Sequence, residues 1–453
     1  MTYLQDGPAV SATTVTDRDL GCGAGLLGRD DRSLEDNMRR LLTLATAMGL
    51  MAITACGGDD DGGSGDASER KQLTVYSSLP LQGASRPQTV AMVNGIELAL
   101  EQAGGRAGDF DIRYESLDGS TAQAGSWTPE ATSSNAREAA LNDNTAAYIG
   151  EFNSGASAVS MPILNEGGVP QISPANTAVG LTSDDPGAET GEPEKYYPTG
   201  ERHYVRIVPK DTIQAAALAT VMEQDGCSRV FMTNDKEVYG AGLARNIQNA
   251  GKRQGLQILA NEAIDKNAAN FRSLAASAAR QDADCFVYAG ITANNAVQLY
   301  KDFAAALPDA KLYGPDGVAE SGFVDPKEGG IPRRVGRRTK VTVATLAPDQ
   351  YPPQGREFFD AFRQKYGDDN PDPYAIYGYE AMRLALDAIE RSGTGEKPDI
   401  IDALFETQDR ESVLGTYSID DNGDTTLTSY GVYTVKGGKL TFDKTIEAAS
   451  ARE

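Results

Sequence analysis

Three stretches place hydrogen-bond donors or a carboxylate where a strand pattern breaks off. In "AYIGEFNSGASAVSMPILNEGG" an apolar run ends near Gly150, a polar turn follows, and a helical pattern opens near Ala156. Ser154, Gly155 and Ala156 present a hydroxyl and backbone N–H groups at that helix start, an arrangement that receives a carboxylate. Plain N-capping by Asn153 or Ser154 draws on the same residue types. In "VPQISPANTAVGLT" Pro174 stops a short strand. Ala175, Asn176 and Thr177 then offer further donors, or a turn that satisfies its own backbone. In "KLYGPDGVAES" Asp316 occupies a Gly-Pro-Asp-Gly turn directly after a strand, either as a charge facing a ligand or as a turn residue. Open α/β sheets bind ligands at the carboxyl ends of strands, where all three stretches fall.

The rest of the inventory excludes more than it offers. His203 is the single histidine, which removes Ser-His-Asp, Cys-His and histidine–metal chemistry. No GxSxG, HExxH or GxxxxGK[ST] is present, and the one GxGxxG, residues 23–28, follows no strand pattern. No catalytic residue, cofactor or metal is expected. Of the four cysteines, Cys227 lies just before the strand pattern at 229 and Cys285 opens "CFVYAG". In a doubly wound sheet of strand order 2-1-3 those two strands are neighbours, so a Cys227–Cys285 disulfide is expected; two buried free thiols are the alternative.

The elements that must position these residues alternate. Short β-rich runs at 73–77, 111–117, 146–150 and 170–173 form one series. Runs at 229–233, 257–263, 285–288, 311–313 and 341–345 form a second. Helical patterns lie between them, at 90–102, 129–141, 215–224, 240–254, 271–280 and 296–306. Such alternation predicts an α/β architecture of two doubly wound, Rossmann-like lobes. "SDDPGAETGEPEKYYPTGERHY" separates the series and reads as a long surface loop. Helical patterns at 358–365 and 377–389 follow without strands, which leaves open the lobe they pack on. The chain has 453 residues and a net charge of −23. That length suits two domains, and that charge argues against nucleic acid and anionic lipid surfaces.

The stretch 38–63, "MRRLLTLATAMGLMAITACGGDDDGG", opens with two arginines and continues with an apolar run at 41–55. The run is short for a membrane span of about 20 residues and fits a signal peptide, with Met38 as the true start and 1–37 as an upstream extension. Ile53-Thr54-Ala55-Cys56 resembles the lipobox of bacterial lipoproteins. That resemblance implies cleavage after residue 55, lipidation of Cys56, a flexible tether over 56–72, and an exported, membrane-anchored protein.

"YIGEFNSGASAVSMPILNEGGVPQISPANTAVGLT", "NDKEVYGAGLA" and "LYGPDGVAE" together resemble the leucine/isoleucine/valine-type solute-binding proteins of ABC importers, over about residues 73–442. The resemblance implies a type I periplasmic-binding-protein fold with three hinge crossovers. Its lobes would be 73–208 with 349–428, and 209–348 with 429–445. It implies a small-molecule solute, an amino acid of branched-chain type or similar, and an ABC transporter permease as partner. Ser154, Gly155, Ala175, Asn176 and Thr177 would hold the α-carboxylate, Asp316 the α-ammonium, and Tyr239 would face the ligand. Asp316 is shorter than the family's usual glutamate, a tyrosine is missing near Ile291-Thr292, and the first loop, "SLPLQGASRPQ", matches poorly. Other solutes (an amide, urea, an organic acid), a sensory role and an enzyme remain as alternatives, the last opposed by the single histidine.

Overall fold

The computed structural model describes residues 70–447; the signal-like segment and Cys56 lie outside them. Two sheets organise the chain. The first runs in the order Arg106–Ala107, Phe110–Asp118, Gln72–Leu79, Thr145–Ile149, Gln171–Ser173, Tyr204–Arg206. It is parallel apart from the antiparallel edge pair Arg106–Ala107 and Phe110–Asp118. The second has five parallel strands, in the order Gln257–Ala263, Arg229–Asn234, Cys285–Ala289, Lys311–Gly314, Thr339–Val343. An antiparallel hairpin, Ser429–Lys436 and Lys439–Glu447, extends it. Thr145–Ile149 and Cys285–Ala289 are buried at every position, as parallel strands covered on both faces must be.

The chain passes between the sheets three times. It leaves Tyr204–Arg206 for helix Asp211–Gln224, which packs on Val238–Arg253 in the second lobe. After Thr339–Val343 it returns to the first lobe, where Ala375–Ser392 lies along Arg86–Gln102. This settles the placement that periodicity left open. Glycines set how closely those helices approach. A Cβ on Gly95 would stand 2.3 Å from Ala375 O, and one on Gly378 2.3 Å from Met92 O. The third passage leads from the hairpin Arg410–Ser412 and Gly415–Tyr417 into Ser429–Lys436.

A buried ion cluster ties the first passage to the third. Arg206 Nε reaches Asp424 Oδ1 at 2.7 Å and Lys210 Nζ reaches Asp424 Oδ2 at 2.9 Å. Burial raises the Asp424 pKa, but the two cations outweigh it and hold the carboxyl at about 2. In the second lobe Cys227 and Cys285 are bonded, with Cα atoms 5.8 Å apart, and Cys285 pairs with Val230 in the ladder.

The segment read as a surface loop behaves differently. Tyr196, Tyr197 and His203 are buried, packed with Met161 and Leu181, and the chain closes the first sheet at Tyr204–Arg206. The aromatics interleaved with its glycines and charges carry that packing. Burial lowers the His203 pKa to about 3, so its ring is neutral and structural, with Nδ1 3.0 Å from the Asn165 amide. Among the described residues, no helix is long and apolar enough to cross a membrane.

Candidate functional site

Ser154 is the first residue of helix Ser154–Glu166, entered from extended Asn153. The N–H groups of a helix's first turn have no intrahelical acceptor, so those of Ser154 and Gly155 are available to a ligand. Ser154 Oγ accepts from Ala178 N at 3.3 Å, which joins the first loop to the second. Thr177, 1% exposed, has a hydroxyl without a hydrogen-bond partner among the described residues. Asn176 is different. Its Nδ2 donates to Phe152 O at 2.9 Å, while Ser157 Oγ and Tyr204 OH donate to its Oδ1. Its amide serves as a brace, and its backbone is spent too, the N–H on Ser173 Oγ at 2.9 Å and the carbonyl on Arg206 at 3.2 Å. Ala175 N is likewise spent on Ser173 Oγ, at 3.3 Å. Gly155 allows a close approach: a Cβ there would lie 2.8 Å from Trp127 Cζ2 and 3.3 Å from Glu237 Oε2 of the second lobe.

Asp316 comes from the second lobe, at the end of Lys311–Gly314. Tyr239 OH donates to its Oδ1 at 2.6 Å. Tyr374 OH, from the first lobe, donates to its Oδ2 at 3.0 Å. The carboxylate therefore sits at the contact between lobes. Burial pushes its pKa up, and the tyrosine hydroxyls pull it back. Gly317 is required beside it, because a Cβ would meet Gly290 O at 2.6 Å and the Tyr239 ring at 2.9 Å.

Sequence reasoning missed two members of this site, Asp211 and Tyr374. Asp211 opens helix Asp211–Gln224 directly after the first passage, and its N–H donates to Thr177 O at 2.8 Å. Its side chain is fully buried, and neither carboxylate oxygen has a partner among the described residues. Burial and the nearby Asp316 charge push its pKa well up, against smaller opposing pulls from Thr177 and Arg206. Arg206 is already committed to Asp424 and to the carbonyls of Asn176 and Ala178, at 3.2 and 2.8 Å. Gln214, one helical turn on, also leaves Oε1 unpaired among the described residues. The site thus offers neutral donors on one side and two buried carboxyls on the other, Asp211 without partners among the described residues and Asp316 met by neutral hydroxyls. Buried charges in that state demand a partner.

Residues 77–439 match the family model described as periplasmic binding protein. The chain belongs to that family. As a periplasmic binding protein it binds a solute at an extracytoplasmic location and is not an enzyme. The Leu/Ile/Val-binding protein BraC3 of Rhizobium johnstonii is 23% identical over 380 residues, covering 81% of this chain and 93% of its own. Among solved structures, the leucine binding protein LivK of Thermotoga maritima superposes with a TM-score of 0.72 at 22% identity, over 83% of this chain and 99% of that one. A solute binding protein from R. palustris in complex with benzoate superposes with a TM-score of 0.67 at 20% identity, over 84% and 100%. At these identities the structural likenesses speak for the fold, a pair of α/β lobes.

Proposed function

We propose that this periplasmic binding protein captures an α-amino acid between its lobes and delivers it to the permease of an ABC importer. The α-carboxylate is received by the N–H groups of Ser154 and Gly155 and by the Thr177 hydroxyl. The α-ammonium is received by Asp316 and Asp211, with Tyr239 and Tyr374 covering it. One observation carries this reading: Asp211 is buried with both oxygens unpartnered among the described residues, beside a second buried carboxyl. A cation favours the ionised form of both groups, whereas a benzoate-type anion adds negative charge beside carboxyls whose ionisation burial already opposes. The names of the relatives add support, since BraC3 is a Leu/Ile/Val-binding protein. The lipobox-like residues 53–56 support export and a lipid anchor on Cys56.

Calorimetric titration of ligand-freed protein with the common amino acids and with benzoate tests the proposal. Saturable binding of an amino acid, with benzoate silent, is expected. The reverse order overturns it.

A further inference from the structure

Four residues beyond Asp316, the second lobe carries another buried acid. Glu320 is 1% exposed. Its Oε1 accepts from Ser85 Oγ of the first lobe at 3.3 Å, and its Oε2 has no partner among the described residues. Ser85 immediately precedes helix Arg86–Gln102. Gln88, in the first turn of that helix, is fully buried. Its Oε1 accepts from Tyr374 N at 3.4 Å, while its Nε2 has no partner among the described residues. An unsatisfied acceptor and an unsatisfied donor thus flank one helix start, at the interface that Tyr374 and Asp316 join.

The surroundings of Glu320 are polar or acidic. Thr292 and Ser85 pull its pKa down, Asp372 and Asp316 push it up, and burial dominates, taking it to about 7. Thr292 also donates to Gly317 O at 3.3 Å. Leaving a buried polar group unpaired is costly, and more so for a charge. An aliphatic ligand side chain seated here leaves both groups unpaired.

We infer that the cleft selects an α-amino acid whose side chain ends in an N–H donor group, an amide, ammonium or guanidinium, which pairs with Glu320 beside Gln88. This rests on the amino-acid reading above and departs from the aliphatic specificity in the relatives' names. An amide complements both orphaned atoms, donating to Glu320 and accepting from Gln88. A cation complements Glu320 alone and balances its charge.

The test is calorimetric titration of ligand-freed wild type with the twenty common amino acids and ornithine. The tightest ligand is expected among asparagine, glutamine, lysine, arginine and ornithine, at least tenfold tighter than leucine, isoleucine or valine. Glu320→Leu narrows that gap at least tenfold; its melting temperature and circular dichroism establish that it folds. The near-isosteric Glu320→Gln separates the two ligand chemistries. It retains an amide ligand and weakens a cationic one at least tenfold. Top ranking by leucine, isoleucine, valine, alanine or phenylalanine overturns the inference and leaves the amino-acid reading standing. So does a cationic ligand held equally by wild type and Glu320→Gln. Binding of no α-amino acid at all overturns that reading, and the inference with it.

Discussion

Asp211 and Asp316 face a common problem. Each is buried and raised in pKa by that burial, and the Asp316 charge raises Asp211 further. An ammonium between them relieves both. Removing one partner of a buried charge pair costs about 2–5 kcal/mol, so Asp316→Asn and Asp211→Asn should each weaken amino-acid binding by roughly 30- to several thousand-fold. Titration of each variant, with melting temperatures taken without ligand, measures this; wild-type affinity in both variants contradicts it. A second consequence concerns pH. Burial raises the carboxyls of Glu151 and Glu320 to about 7. A carboxyl with a higher pKa folded than unfolded lends stability that is full below its unfolded pKa and lost as pH rises through its folded one. Asp235 and Asp372, raised by burial to about 6, act in the same direction. His203, lowered by burial to about 3, acts oppositely but alone. Ligand-free protein should therefore melt higher at pH 5 than at pH 8, and Glu151→Gln should shrink the difference. A melting temperature that climbs from pH 5 to pH 8 contradicts this.

At the scale of elements, the disulfide fixes the register of neighbouring strands Arg229–Asn234 and Cys285–Ala289. It closes a loop with a sequence separation of 58, for which chain entropy implies about 4 kcal/mol and typical measurements about 2–4. The Cys227→Ala/Cys285→Ala double variant should unfold at correspondingly lower urea, and an unchanged midpoint contradicts the stabilising role. The pairing was legible because a cysteine before one strand and another opening a strand in the same lobe meet under the 2-1-3 order. The three strand ends were legible for a similar reason: glycine, proline and small polar residues interrupt apolar runs. Asp211 and Tyr374 were not. Each sits at a helix start next to a passage between lobes, and an aspartate there reads as ordinary complement to the helix dipole. Tyr374 reaches Asp316 through the way the lobes meet, and Asp211 nears it through the packing of its helix within the second lobe; local patterning encodes neither. Likewise Tyr196, Tyr197 and His203 were hidden in a segment whose glycine, proline and charge content suggested exposure. Asn176 was recognised as polar and well placed, but its amide is consumed by Phe152, Ser157 and Tyr204.

For the whole molecule, function rests on a difference between open and closed lobes. A ligand favours closure by as much as its contacts in the closed form exceed those in the open one. The Tyr374–Asp316 hydrogen bond and the Ser85–Glu320 contact join the two lobes, so they belong to that difference. The Arg206–Asp424–Lys210 cluster, by contrast, braces the passages about which closure turns. Asp424→Asn leaves Arg206 buried with its charge unpaired, and breaking such a pair costs about 3–5 kcal/mol. Urea unfolding should show that loss, and a wild-type midpoint contradicts the bracing role. The central claim, that the cleft holds an α-amino acid, is tested most directly by mass spectrometry of the small molecule released when protein purified from its native cells is denatured. The account predicts a compound with an α-ammonium and an α-carboxylate, released in near-stoichiometric amount. A released aromatic carboxylate or other solute without a cationic group contradicts it.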